Sequence, residues 1–373
     1  MCNLIKCRLC KSTKVILRLK FNDMPMFLWP VSQKSFDKQN HDLCVFVCTI
    51  CGHAQIQNLT EEFLDQLYKY DYINLDSPQV NQNRANILRS FYRFSERNIL
   101  DVGGATNSTY NLFTDSNYSI LDPQKPLSSE VIHINGFISS TELKQDYYDY
   151  IFAFHIIEHL ENPREDLSKL RKSLRSKGKL IIEVPDAEYY STNLPFYLYF
   201  HQHINLFTQN SLQYLLNLSG FKRIENMIYN GRILAVFEKN SSVRTNTQYR
   251  KVEPDFVYKR DSDFFAKLED SLLQILDKNS SYNIDFLGAG GSSTLFFYHC
   301  PGILSRVRNI YDGDIRKVGS NLPGTKRKIL ETPTKFESDT VYMGIGGVML
   351  EQWEHYGSCN FVDILEVVRD LET

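Results

Sequence analysis

No apolar run in the 373-residue chain approaches the roughly eighteen residues a membrane span needs, so a helical membrane protein is not expected. The opening stretch, Met1-Cys2-Asn3-Leu4-Ile5-Lys6-Cys7, has neither the apolar segment nor the small-residue cleavage site of a secretory leader. The cytoplasm is therefore the expected compartment. An excess of one charge is missing too: the net charge is −2, leaving no overall field to attract nucleic acid or an anionic membrane. Only the first sixty residues depart from this, with eight Lys/Arg against three Asp/Glu, which suits a solvated basic face or a phosphorylated partner. There is no repeat of solenoid period and no low-complexity tract. Beyond residue 51 cysteine is scarce, with two of the eight, and a reducing compartment argues against a disulfide framework.

What is present is concentrated. Six cysteines lie in the first fifty-one residues, and four form two pairs, Cys7-x-x-Cys10 and Cys48-x-x-Cys51. A Cys-x-x-Cys turn aims two thiolates at one point, and two such turns complete a tetrahedral zinc site. Gly52 follows Cys51 and eases a tight turn whose amides face sulfur. Cys2, Cys44 and His53 are spares. A redox pair is disfavoured because no strand-helix context surrounds either motif. Four thiolates leave no open coordination position, so the metal's expected role is structural, holding a segment too small for its own core.

The length allows about two or three domains, and the pattern divides the chain into four parts. Residues 1–58 read as the zinc-binding module, with short strands at Val45–Val47 and Ala54–Ile56. Residues 59–96 read as a helical connector opened by Thr60-Glu61-Glu62, with Tyr68, Tyr70 and Tyr72 at a helix end or loop. Residues 97–240 alternate strand and helix, with strands at Ile99–Gly103, Ser119–Asp122, Val131–Asn135, Tyr150–Phe154, Lys179–Val184, Glu225–Tyr229 and Ile233–Glu238. Asn230-Gly231 joins the last two as a hairpin, so a mainly parallel sheet ending in an antiparallel pair is expected. After a polar linker at 240–247, residues 241–373 read as a second, smaller α/β domain. It has a helix near Asp261–Lys278 and strands at Asn283–Leu287, Asn309–Tyr311, Thr340–Met343 and Phe361–Ile364. The fold class is α/β.

The first strand of the middle region runs Ile99-Leu100-Asp101-Val102 into Gly103-Gly104-Ala105-Thr106-Asn107, and Asp122 closes the next strand. Small residues in the turn let the backbone approach a ligand, and an acid about twenty residues on can hold ribose hydroxyls, which suits an adenosine group. With the run Asp149–Leu160 and the segment Lys177–Pro185, this region resembles the class I methyltransferases that use S-adenosylmethionine. The resemblance implies a seven-stranded sheet with cofactor contacts from Asp101, Gly103, Gly104, Ala105, Asn107, Asp122, Gly136, Phe137, His155 and His159. The order of parts is similar to something narrower, the zinc-containing sugar C-methyltransferases, with a four-cysteine domain, a central methyltransferase domain and a C-terminal Rossmann-like domain. Cys51–Gln55 and the run from Asp312 through Lys317 and Gly319 to Thr325 carry that likeness at the two ends.

This resemblance implies a small-molecule acceptor, a nucleotide sugar, methylated with help from a base. Phe200-His201-Gln202-His203 is similar to the family's Tyr-His-Glu-His run, which makes His203 the base, with His201, Tyr70 and Tyr72 as further catalytic candidates. Phe200 and Gln202 depart from that run, removing a phenol and a carboxylate; Tyr199 or Tyr68 are alternative donors. Carbon methylation needs proton removal beside a carbonyl, whereas methylation of a hydroxyl needs only the base. A phosphorylated non-sugar acceptor and a non-catalytic scaffold remain open, as does the oligomeric state. A rival lies at Gly288-Ala289-Gly290-Gly291 with Asp312, a Rossmann-like fingerprint that would suit a nicotinamide dinucleotide. In the first reading Lys317 and the Leu322–Lys328 loop instead face the acceptor's phosphates.

Overall fold

The computed structural model describes residues 5–28, 40–56, 78–104, 109–126, 128–240, 262–278, 284–336, 340–343 and 360–371. Three N-terminal strands, β1 (Val15–Pro25), β2 (Asn40–Cys48) and β3 (Ala54–Ile56), pair antiparallel. The expectation of short strands here understates β1 and β2, which run for eleven and nine residues. Their alternation of buried and exposed positions is interrupted by register shifts, between Leu17 and Leu19 and between Phe21 and Met24, which blurs a period of two. The fourth strand of this sheet comes from far along the chain: β9 (Asn205–Leu206) pairs with β3 through Ala54 and Leu206. The N-terminal module is thus stitched to the segment that carries His203.

Helix α1 (Pro78–Phe91) leads into a seven-stranded sheet, as expected for the middle region. Its strands are β4 (Asn98–Val102), β5 (Asn117–Leu121), β6 (Ile132–Ile134), β7 (Tyr148–Phe154), β8 (Leu174–Pro185), β10 (Phe221–Tyr229) and β11 (Arg232–Lys239), in the order β10-β11-β8-β7-β4-β5-β6. Strands β4 to β8 are parallel, and β11 turns antiparallel against β8 and β10. The hairpin forms at Asn230-Gly231, where φ values of 47° and 73° suit a turn that needs two left-handed residues. Both faces are covered, which is why Leu100, Ile151 and Ile182 on one side and Ile120, Phe152 and Ile181 on the other are fully or almost fully buried. The crossover elements are α2 (Pro163–Ser173), α3 (Ala187–Asn193) and α4 (Gln209–Leu218).

The last part contains α5 (Ser262–Lys278), β12 (Ile284–Leu287), α6 (Gly291–His299), α7 (Pro301–Arg306), β13 (Val307–Asp312), β14 (Ile329–Glu331), β15 (Thr340–Met343), β16 (Asn360–Asp363) and α8 (Ile364–Asp370). Its sheet is wholly parallel in the order β14-β13-β12-β15-β16. The three-residue β14 is absent from the sequence expectation because so short a run carries no period. This unit packs on the N-terminal sheet: Phe21, Met24 and Leu28 share one core with Phe196, Phe265 and Phe296. Thr294 Oγ1 donates to the Leu28 carbonyl at 2.9 Å, and Tyr298 Oη to that of Asn22 at 2.6 Å.

Candidate active site and metal centre

The two Cys-x-x-Cys turns converge. Cys7 and Cys51 Sγ lie 3.5 Å apart, Cys10 and Cys48 Sγ 3.6 Å, and all four sulfurs fall within 4.8 Å of one another. A tetrahedron with Zn–S bonds near 2.3 Å has edges of about 3.8 Å, so the four thiols fit zinc. Each turn closes the same way: Lys11 N donates to Cys7 O at 2.9 Å and Gly52 N to Cys48 O at 2.8 Å. Lys11 and Gly52 both take positive φ, 61° and 68°. Cys44 stands apart on β2, and His53 is buried with Nε2 3.2 Å from Asn205 Oδ1. Between the first two cysteines, the buried Arg8 sends Nη1 to the carbonyls of Ile56 and Ile204, at 2.8 and 3.0 Å. The thiol cluster therefore grips the backbone of the residue after His203.

At the carboxyl ends of β4 and β5 lies the first glycine turn. Gly103 takes φ 76°, and a Cβ there would sit 2.1 Å from Ile156 Cδ1; one on Gly104 would sit 2.3 Å from Asp101 Oδ2. Only glycine fits either position without a shift. Asp101 is buried and accepts from Tyr118 Oη at 2.8 Å, so its carboxyl braces the turn from inside. Burial raises its pKa to about 7 against that bond's pull. Asp122 is half-buried just beyond β5, its Oδ1 accepting from Gln124 N at 2.7 Å. Gly136 N donates to the Asp122 carbonyl at 3.4 Å, and Phe137 beside it is 54% exposed. These residues leave an exposed edge where an acid, a glycine turn and an aromatic meet, a set that suits an adenosine group. Ala105 and Asn107 lie outside the described residues, as do Tyr68, Tyr70 and Tyr72.

Next to this edge is a buried ionic network that the sequence did not disclose. Arg84 of α1 and Glu183 of β8 are 1% and 0% exposed. Arg84 donates through Nε to Oε2 at 3.0 Å and through Nη2 to Oε1 at 2.6 Å. Tyr229 Oη also donates to Glu183. His155, with φ 54°, brings Nδ1 to 3.2 Å of Glu158 Oε1 and Nε2 to 3.0 Å of Glu183 Oε1. Burial disfavours its imidazolium, but the bonds to Glu158 and Glu183 outweigh that and raise its pKa to about 9. For Glu183, burial is likewise overcome by His155 and Arg84, so its carboxylate stays ionised well below the usual range.

Glu158 links this network to a pocket. It sits in Ile157–His159, a single 3-10 turn, and α2 begins four residues later. A small, open hollow is lined by Glu158, Ala187, Tyr190, Tyr197, His203 and Asn205, among others. His203 and His159 rings meet edge to face, 5.0 Å apart, and Phe200 lies 4.0 Å from His203. Burial lowers the pKa of both histidines, so both rings are neutral at neutral pH. His159 Nδ1 donates to the Gln202 carbonyl at 2.8 Å.

The other candidates of this segment point away. His201, a catalytic candidate from the sequence, is fully buried against the N-terminal module, its ring 6.4 Å from that of His41. Tyr199 packs on Phe21 at 5.3 Å, and the pocket's phenols are Tyr190 and Tyr197. Residues 198 to 203 form an irregular strap, so no simple period foretells which side chain turns inward. Among the described residues, all those lining the hollow lie between 158 and 207.

Residues 76–226 match a family described as methyltransferase domain. The chain carries an S-adenosylmethionine-dependent methyltransferase domain. No curated protein matches the sequence. Similar solved structures include the methyltransferase in a complex with the Haloferax volcanii Trm112 methyltransferase activator, at 11% identity over 43% of this chain and 89% of that one, TM-score 0.38. Another is the Burkholderia thailandensis 1,6-didemethyltoxoflavin-N1-methyltransferase with bound 1,6-didemethyltoxoflavin and S-adenosylhomocysteine, at 13% identity over 57% and 100%, TM-score 0.38. A Pyrococcus horikoshii protein is 15% identical over 49% and 100%, TM-score 0.37.

The second glycine turn does not rival the methyltransferase site. Asp312, the acid that would meet a dinucleotide's ribose, accepts from Ala289 N and Lys317 Nζ at 2.7 and 2.8 Å through Oδ2. Its Oδ1 accepts from Asp314 N at 2.8 Å. Both oxygens are committed to the fold. Lys317 is 8% exposed, so its ammonium locks the turn and is not extended toward a phosphate, contrary to the expectation for it. Lys326 and Lys328 of the following loop are exposed.

Proposed function

We propose that this protein transfers a methyl group from S-adenosylmethionine to a sugar-type, nucleotide-linked acceptor held in the pocket beside His203. The cofactor supplies an electrophilic methyl on its sulfonium. Gly103, Gly104, Asp122, Gly136 and Phe137 would hold its adenosine part, with His155 and His159 toward the reacting end. The observation that carries the reading is His203: a neutral imidazole on the wall of a pocket, beside Glu158 and at the same sheet edge as the glycine turn. A neutral ring can take the acceptor's proton as the methyl arrives.

The order of a four-cysteine module, a methyltransferase domain and a Rossmann-like unit supports a sugar acceptor. Phe200 occupies the place of an enolate-holding phenol, and Tyr197 on the pocket wall can supply one, so both carbon and oxygen methylation fit the groups present. We infer a structural zinc at Cys7, Cys10, Cys48 and Cys51, which keeps the strap after His203 in register through Arg8. Free thiols at those positions and at Cys44 and Cys300 suit the cytosol, where we place the activity.

The test is transfer of labelled methyl from S-adenosylmethionine to a panel of nucleotide sugars and phosphorylated metabolites, read by mass spectrometry. A labelled sugar, lost in His203→Asn with S-adenosylhomocysteine binding retained, is the expected result. Transfer to a non-sugar phosphate alone would discard the sugar acceptor, and an undiminished His203→Asn would discard the base.

A further inference from the structure

We propose that Glu158, His159 and His203 form a second divalent metal site, of the kind that takes Zn²⁺ or Co²⁺, distinct from the four cysteines. The three side chains each bring a donor atom within 4.8 Å of the others. Two imidazoles and a carboxylate are a common set for zinc with an open position left for another ligand, and the pocket supplies the space.

The surrounding hydrogen bonds support the assignment. A carbonyl only accepts, so the bond from His159 to Gln202 O fixes the proton on Nδ1 and leaves the lone pair on Nε2. Metal-bound histidines are typically held this way, through the ring nitrogen that does not meet the ion. Glu158 is 1% exposed; Oε1 is met by His155 Nδ1, while Oε2 is buried without a hydrogen-bond partner among the described residues. A buried carboxylate oxygen in that position is costly unless a cation or donor meets it. His203 stands at 71° to His159, and Phe200 backs it at 4.0 Å, limiting the ring's freedom.

The consequence for turnover rests on the base reading above, though the site itself does not. A ring whose lone pair is on a metal cannot accept a proton, so filling this site should inhibit methyl transfer. The experiment uses the full chain carrying one equivalent of zinc, titrated with Co²⁺ and followed by visible absorption, with bound metal counted by mass spectrometry. One further equivalent is expected, with a nitrogen and oxygen spectrum that lacks thiolate charge transfer. It should be lost in His203→Asn and in Glu158→Gln, both keeping the first equivalent and a cooperative thermal unfolding transition. No second equivalent in the unaltered protein overturns the site, as does a second equivalent undiminished in both variants. A second equivalent that raises turnover upholds the site and overturns the base.

Discussion

Replacing Arg84 with methionine removes the guanidinium from Glu183 and keeps most of the side chain's volume. The pair is 1% and 0% exposed and joined by two bonds, at 3.0 and 2.6 Å. Breaking a buried pair from one side typically costs about 3–5 kcal/mol, because the remaining charge is stranded. Here His155 and Tyr229 still donate to Glu183, which lowers the expected loss to about 2–4 kcal/mol. The Arg84 guanidinium also lies 4.4 Å over the Phe154 ring, a contact included in that range. Urea unfolding followed by circular dichroism measures the change, and Glu183→Gln with the double variant completes a cycle. The double variant should lose clearly less than the sum of the two single ones, since removing both partners strands no charge. A loss below about 1 kcal/mol for Arg84→Met, or additive single losses, would mean that Glu183 is not stranded when Arg84 is removed.

Three other outcomes are expected. Asp122→Ala should weaken S-adenosylhomocysteine binding by about 1–3 kcal/mol in calorimetry, the value of two ribose hydrogen bonds; unchanged affinity removes Asp122 from the site. His155 has a folded pKa raised to about 9, so its protonated form contributes stability that is complete below about 6.5 and lost as pH rises through 9. Stability should fall by at most about 3 kcal/mol between pH 7 and 10, and His155→Gln should flatten that slope. Arg8→Met removes the buried guanidinium from the carbonyls of Ile56 and Ile204, the second of which still accepts from Ile56 N, and should cost about 1–3 kcal/mol. Its zinc content should be unchanged while turnover falls, measured by metal analysis and methyl transfer; turnover equal to the unaltered protein would mean the thiol cluster does not position His203.

Much of the fold was legible because it is written in short-range patterns. Cys7-x-x-Cys10 and Cys48-x-x-Cys51 fix two sulfurs per turn whatever surrounds them, and the turns do converge. Strands β4, β5, β7 and β8 are apolar on both faces, so their pattern announces a covered parallel sheet, and Asn230-Gly231 announces the hairpin after β10. Gly103 and Asp122 stand within a few residues of strand ends, where the topology of an open α/β sheet puts ligand sites. The irregular elements were harder: β1 is interrupted by register shifts, and the strap around His201 and His203 has no period to follow.

Tertiary structure alone decided which polar groups meet. Arg84 and Glu183 are 99 residues apart, and nothing local to either marks a partner. Glu158 and His203 come together only because β9 joins the N-terminal sheet and carries the strap across the 3-10 turn after β7. The same crossing turns Tyr197 into the pocket and buries Tyr199 and His201, and Asp312 is spent on its own turn and Lys317. Backbone geometry follows from local sequence, through residue size, branching and spacing over a few positions. The pairing of charges depends on which strands become neighbours, and that is settled by burial of the whole apolar surface at once.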